Sequence, residues 1–379
     1  MTAQEQEQER GSWYGVPKSD TVCNNAFNCS GALHCTACKV HRRNNVNTEA
    51  SENVLKPSFC IFSSFNTPSF RRLVLDIQTA VGCEAYFIEQ PVDAIIEIYE
   101  NYKKVLVVGW FHYFWLQSAI QFHVNGLESY IYGALEHIPI LSEAYLKYSE
   151  EVPYIPCSEA WVELSGLRKL WKNILDVVPH GIDLGFWYQV REKDKVPTLM
   201  SVVTGNLPRK GIDVLWKLLK RIYVHGIDCR YIIVMTHDLY EHFGKVLSMF
   251  PFVEVYTKVS DEKLRELYSR THIYVCTSYC EGFYLPSLEA CACGCYVIAP
   301  ALPTIVEYGL AHEIIPVKST FYLQDNDHKV LYILFDYDEN KLISSVFEAI
   351  KRFEDLDYYP FHVHFDANIV YKRFLEVIK

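Results

Sequence analysis

The stretch Thr277–Pro300, TSYCEGFYLPSLEACACGCYVIAP, decides the fold. It follows an apolar run, Ile273–Cys276, that reads as a buried strand. A loop then carries Glu281, Gly282 and Phe283. Pro286 suits the first turn of a helix, where its missing N–H costs nothing, and Gly294 suits the stop. Tyr296–Ala299 reads as the next strand. A helix N-terminus between two strands offers unpaired N–H groups and the positive end of a dipole, which suits a diphosphate. Gly282 lets the backbone come close to a ligand. Glu281 and Glu289 flank that position. Carboxylates repel a phosphate, so they make sense there as acceptors for hydroxyls on either side of it. A nucleotide sugar has hydroxyls at both ends of its diphosphate. An ordinary βαβ crossover with water-facing glutamates satisfies the same pattern, and this stretch alone does not separate the two.

Glu281 and Glu289, with seven residues between them, resemble the E-x7-E motif of glycosyltransferase family 4, retaining enzymes of the GT-B architecture. The similarity continues over VPHGIDLGFW (178–187), VVTGNLPRKGIDVLWKLL (202–219) and VSDEKLRELYSRTHIYV (259–275), and resumes in FDANIVYKRFLEVI (365–378). Order and spacing follow the family through the C-terminal half; the N-terminal half resembles it much less. The resemblance implies an α/β, GT-B fold of two Rossmann-like doubly wound domains facing across a cleft. It also implies a retaining glycosyltransferase that moves a sugar from a nucleoside diphosphate sugar to a hydroxyl of a glycan, lipid or protein acceptor.

The same resemblance assigns roles. Glu281 would accept hydroxyls of the donor sugar, and Glu289 those of the ribose. The backbone of Gly282, Phe283, Tyr284 and Leu285 would face sugar and phosphates, and that of Val259 the nucleobase. Lys210, in GNLPRKG, would stabilise the diphosphate as a leaving group, with no metal and no cofactor required. The family usually has an arginine after the glycine of this turn, where Asn206 follows Gly205. Arg209 is the candidate substitute. The family usually has glycine where Tyr284 stands, so a tighter pocket or an altered sugar preference is expected. It also often has a histidine after the fourth strand. With that strand read at Ile138–Leu141, the position falls on Ser142 and Glu143, and no histidine aligns. His112, after the third strand, is the candidate to enter the cleft; the competing reading is a structural histidine. A non-catalytic relative that binds a nucleotide sugar or a partner protein is the rival from another class.

Composition sets outer bounds. The chain has 379 residues, 50% hydrophobic and 22% charged, enough for two domains. A net charge of −10 argues against nucleic acid and against simple electrostatic adhesion to an anionic membrane. Peripheral membrane association through a local basic patch stays open, and oligomeric state is not readable. The start, MTAQEQEQER, is no secretory signal, and no run of about twenty apolar residues occurs. Of the 13 cysteines, the nine in the body of the chain, from Cys60 to Cys295, are scattered in a way that suits buried thiols in a reducing cytoplasm.

Residues 1–56 are polar and expected to be weakly ordered. They carry Cys23, Cys29, Cys35, Cys38 and His41, and the C-x2-C pair is a spacing zinc tolerates; incidental cysteines are the alternative. Residues 57–185 read as the acceptor domain and 186–365 as the donor domain, with a final helix over 366–379 crossing back to the first. Strands are expected at Phe59–Phe65, Glu84–Ile88, Val105–Gly109 and from Tyr154 in the first domain. In the second they are expected at Thr198–Thr204, Arg230–Met235 and Val253–Tyr256.

Overall fold

The computed structural model describes residues 58–63, 67–90, 92–205, 209–325 and 330–378. Residues 55–379 form one compact unit. The cysteines and His41 of the N-terminal segment, and Asn206, lie outside the described residues.

Apolar runs build two parallel sheets. The first contains β1 (Phe59–Ser63), β2 (Ala85–Phe87), β3 (Lys104–Trp110), β4 (Glu128–Ala134) and, after a short β5 (His137–Pro139) that leaves it, β6 (Tyr154–Pro156). Its order is β2-β1-β3-β4-β6. Every residue of β1 is buried and β3 is buried in its interior, as in a sheet covered on both faces. The second sheet contains β7 (Thr198–Val203), β8 (Arg230–Met235), β9 (Val253–Thr257), β10 (Ile273–Val275), β11 (Tyr296–Pro300) and β12 (Glu313–Ile315). Its order is β12-β11-β10-β7-β8-β9, the dinucleotide-fold arrangement.

Helices fill the crossovers. α1 (Pro68–Val81) opens on its proline and stops at Gly82, φ 75°. α2 (Val92–Asn101) and α3 (Tyr113–Val124) follow. α4 (Glu159–Ser165) is capped by Ser158 Oγ, which accepts from Trp161 N. Gly166, φ 66°, ends α4. In the second domain come α5 (Ile212–Val224), α6 (Asp261–Arg270), α7 (Leu285–Ala292), α8 (Pro303–Tyr308) and α9 (Glu339–Lys351). Ser260 caps α6, accepting from Lys263 N. Between β8 and β9 the helical segment His237–Leu247 carries a π turn at Tyr240–Gly244. The closing segment, α10 (Ala367–Val370) and the turns after it, packs on α1 of the first domain.

Two features depart from the sequence reading. The fourth strand is Glu128–Ala134, not Ile138–Leu141. Its tyrosines look amphipathic but are buried, because Tyr130 OH donates to the Glu128 carboxylate and Tyr132 OH pairs with His180. The second departure is an unforeseen hairpin, β13 (Val317–Asp325) and β14 (Val330–Tyr337), between β12 and α9. β14 pairs antiparallel with β5, matching Leu331 with Ile138 and Tyr332 with His137, so a third sheet, β13-β14-β5, ties the domains together. One hydrophobic core runs from the first sheet through Cys280, Phe283 and Tyr284 to the near face of the second. The nine cysteines from Cys60 to Cys295 are free and buried.

Candidate active site

β7 and β10 are neighbours in the second sheet, and the chain leaves them toward opposite edges. The loops at their C-terminal ends therefore bound the crevice where such sheets bind ligands. The loop after β7 leads to Arg209 and Lys210, and the loop after β10 leads to Glu281. Lys210 Nζ donates to both Glu281 oxygens, at 2.7 and 2.9 Å, across 71 residues of sequence. Two contacts fix the pair. Thr277 Oγ1 donates to Lys210 O at 3.0 Å, and Trp161 Nε1, from the first domain, donates to Glu281 O at 2.9 Å. Gly211 makes the first possible: its φ is 59°, and a Cβ there would lie 1.7 Å from Thr277 O. The side chains of Lys210 and Glu281 are only 12% and 7% exposed.

Arg209 turns toward the first domain. Its Nη1 lies 2.5 Å from Oε1 of Glu136, in the turn between β4 and β5, while Glu136 Oε2 accepts Gly282 N–H at 3.1 Å. The guanidinium also stacks 4.7 Å from the Tyr332 ring. Arg209 Nε finds no acceptor although the side chain is buried. Gly282 packs directly on this turn: a Cβ on it would sit 2.9 Å from Ala134 Cβ and 3.2 Å from Glu136 Cβ. The close approach that Gly282 permits here is that of the other domain.

Glu289, on the second turn of α7, is buried and meets two donors. Tyr268 OH donates to Oε2 at 3.1 Å, and Arg72 of α1 reaches Oε1 at 3.2 Å while also pairing with Asp261 at 3.1 Å. The other candidates spread out. Phe283 packs among His180, Tyr308 and Phe365. Tyr284 turns into the core, where its hydroxyl lies 2.7 Å from that of Tyr274. Leu285 begins α7, Val259 is half-buried after β9, and Gly205 is exposed with φ 90°. His112 is buried at the N-cap of α3, its Nδ1 accepting from Phe114 N, and its ring is 6.0 Å from that of His137.

Sequence reasoning missed three groups that meet the candidate set: Arg72, Glu136 and His137. With the fourth strand at Glu128–Ala134, His137 is the histidine that follows it, and the signal was present once the strand was placed correctly. It is buried, and its Nε2 lies 3.0 Å from Phe111 O. Burial pulls its pKa down to about 4, so it is neutral at pH 7. Burial pushes the Glu136 carboxyl up, but Arg209 and Lys210 outweigh it and hold the group below the usual carboxylate range. At Glu289 burial prevails over Arg72, and the pKa lies above its ordinary value. Four charges thus face one another, two cations and two anions, in a nearly dry space.

The family model described as glycosyl transferases group 1 matches residues 199–326. Over 235 residues the chain is 24% identical to the phosphatidylinositol N-acetylglucosaminyltransferase gpi3 subunit of Schizosaccharomyces pombe, covering 59% of this chain and 50% of that one. Over 137 residues it is 28% identical to the MMP alpha-(1->4)-mannosyltransferase of Mycolicibacterium hassiacum, covering 35% of this chain and 33% of that one. The chain therefore spans half or less of the length of these curated relatives. Sucrose-phosphate synthase from Thermosynechococcus elongatus superposes with a TM-score of 0.57 at 14% identity, over 83% of this chain and 94% of that one. Two parallel α/β sheets, each with its C-terminal edge turned to the other, make this a GT-B fold of two Rossmann-like domains.

Proposed function

We propose that the chain is a retaining glycosyltransferase that transfers a sugar from a nucleoside diphosphate sugar to a hydroxyl of a glycan, lipid or protein acceptor, without a metal. The observation that carries this is the Lys210–Glu281 pair at the switch point of the second sheet, beside the N-terminus of α7. Glu281 would exchange the lysine for hydroxyls of the donor sugar. Lys210, and Arg209 with it, would then meet the β-phosphate as charge builds on the leaving group. Glu289 would accept the ribose hydroxyls. The acceptor hydroxyl would attack on the face where the phosphate departs, which leaves the protein mainly positioning and charge stabilisation to supply. Among the described residues no helix is long and apolar enough to cross a membrane, so a lipid acceptor would be met at a membrane surface. The buried free thiols suit a cytoplasmic setting.

The test is calorimetric binding of a panel of uridine, guanosine and adenosine diphosphate sugars, followed by transfer assays with the one that binds. One donor should bind without added metal, and Glu289→Ala should lose that binding while keeping the fold. If no member of the panel binds at millimolar concentration, the reading is wrong, and the partner-binding alternative takes its place.

A further inference from the structure

The first domain occupies the candidate donor site. Glu136 places one carboxylate oxygen on the Gly282 N–H, at 3.1 Å, and the other on Arg209, at 2.5 Å. These are donors that a phosphate of the donor would need. Cys280 Sγ donates to Glu136 O at 3.2 Å, which pins the backbone of the same turn. The next three residues, His137–Pro139, form β5 and pair with Val330–Tyr332 of β14. β14 is in turn fixed to the loop after β10, where Phe335 N donates to Tyr279 O at 2.8 Å. A strand of the first domain is thus hydrogen-bonded into a hairpin of the second, and the turn beside it inserts a carboxylate between the two loops of the switch point.

We propose that Glu136 is an internal substitute for the donor's phosphate, held in place by the β5–β14 strap, and that a nucleoside diphosphate binds only when the strap opens. The inference rests on reading this crevice as the donor site. Three observations support it. The cations Arg209 and Lys210 are balanced by Glu136 and Glu281, so a diphosphate added to the closed state would bring two or more uncompensated negative charges into a dry space. The fit of Glu136 is incomplete, since the buried Arg209 Nε lacks an acceptor that a phosphate, with more oxygens, could supply. Finally, Ala134 and Glu136 lie against Gly282, the position where the backbone would have to face the donor.

Two experiments test the strap, with uridine and guanosine diphosphate as probes. Paired positions on antiparallel strands lie within disulfide reach. The double variant Ile138→Cys/Leu331→Cys, at partnered positions of β5 and β14, should form a disulfide that holds the strap shut. When oxidised it should bind the nucleotide at least tenfold more weakly than after reduction with dithiothreitol. In parallel, Glu136→Gln keeps an acceptor for Gly282 N–H but removes the competing charge, and should bind at least tenfold more tightly than the wild type. If this variant does not fold, the disulfide pair decides alone. Equal binding by the oxidised and reduced double variant overturns the strap while leaving the donor reading intact. If the wild type and the reduced double variant both bind neither nucleotide, the donor reading and the strap fall together.

Discussion

Consider Lys210→Met, which keeps the length of the side chain and deletes its charge. At 2.7 Å the attraction between Lys210 and Glu281 is about 6 kcal/mol at an effective dielectric of about 20. Burial of two charges offsets most of that, so the net worth of the pair is small. Stranding one partner is a different matter. Glu281 is nearly buried, and its carboxylate contacts only Lys210 among the described hydrogen bonds. Losing the lysine should therefore cost about 3–5 kcal/mol at neutral pH. Urea unfolding at neutral pH should show that loss, with m unchanged. Adding Glu281→Gln should recover about 2 kcal/mol or more of the loss, measured as the coupling in a double-mutant cycle. A loss under about 1 kcal/mol would mean that water reaches Glu281 and that the pair behaves like a surface salt bridge, which would refute the argument.

Two further outcomes are expected. Burial and the neighbouring Asp183 push the Asp76 carboxyl up to about 7, against a partial pull from Arg72, with Glu289 and Asp261 adding to the rise. A raised folded-state value means that this group's contribution is lost as pH climbs from about 4 to about 7, so Asp76→Asn should be about 1–3 kcal/mol more stable than the wild type above pH 7, and equal stabilities in thermal melts at pH 5 and pH 8 would count against it. Tyr284→Phe should lose about 1 kcal/mol by removing one hydroxyl of the Tyr274–Tyr284 pair, and Tyr284→Gly about 3–5 kcal/mol by emptying a buried site, with the ranking of nucleotide sugars unchanged in both.

The two parallel sheets were legible because their strands are continuous apolar runs, such as CIF in β1 and VLVV in β3, separated by helical spacing. The crevice was legible because Glu281, Glu289 and Lys210 stand in a recognisable order beside a Pro–Gly-bounded helix. What stayed hidden follows from how partners are chosen. β4 reads as ESYIYGA, and its tyrosines mimic an exposed strand until the partners of their hydroxyls are known; IPIL, more apolar, was mistaken for it. The β13–β14 hairpin alternates in FYLQ and LYILF, yet its partner β5 lies some two hundred residues earlier, and no local spacing reports such a pairing. Glu136 and Arg72 were missed for the same reason. Each is an unremarkable charge on its own element, and its role depends on a side chain of the other domain. Tyr284 shows the converse: the loop position was placed correctly, but the direction of the side chain depends on packing against Tyr274.

The segment after Phe365 has a consequence for how the chain is assembled. Ile182 N donates to Phe365 O and Ala367 N to Ile182 O, both at 2.9 Å. Tyr371 OH accepts from Gly181 N at 2.8 Å, and the rings of Tyr371 and Phe374 lie fully buried against Tyr132 of the first sheet. The first domain therefore lacks part of its core until residues 366–378 have left the ribosome. The second domain's sheet draws all six of its strands from one contiguous stretch, 198–315. Synthesis from the N-terminus would normally let the leading domain fold first. Here the trailing domain should reach its native state earlier, and the leading one must wait, part-collapsed, for a clasp synthesised after the second sheet. The docking of that clasp, a contact of high sequence separation, should set the slow phase of folding.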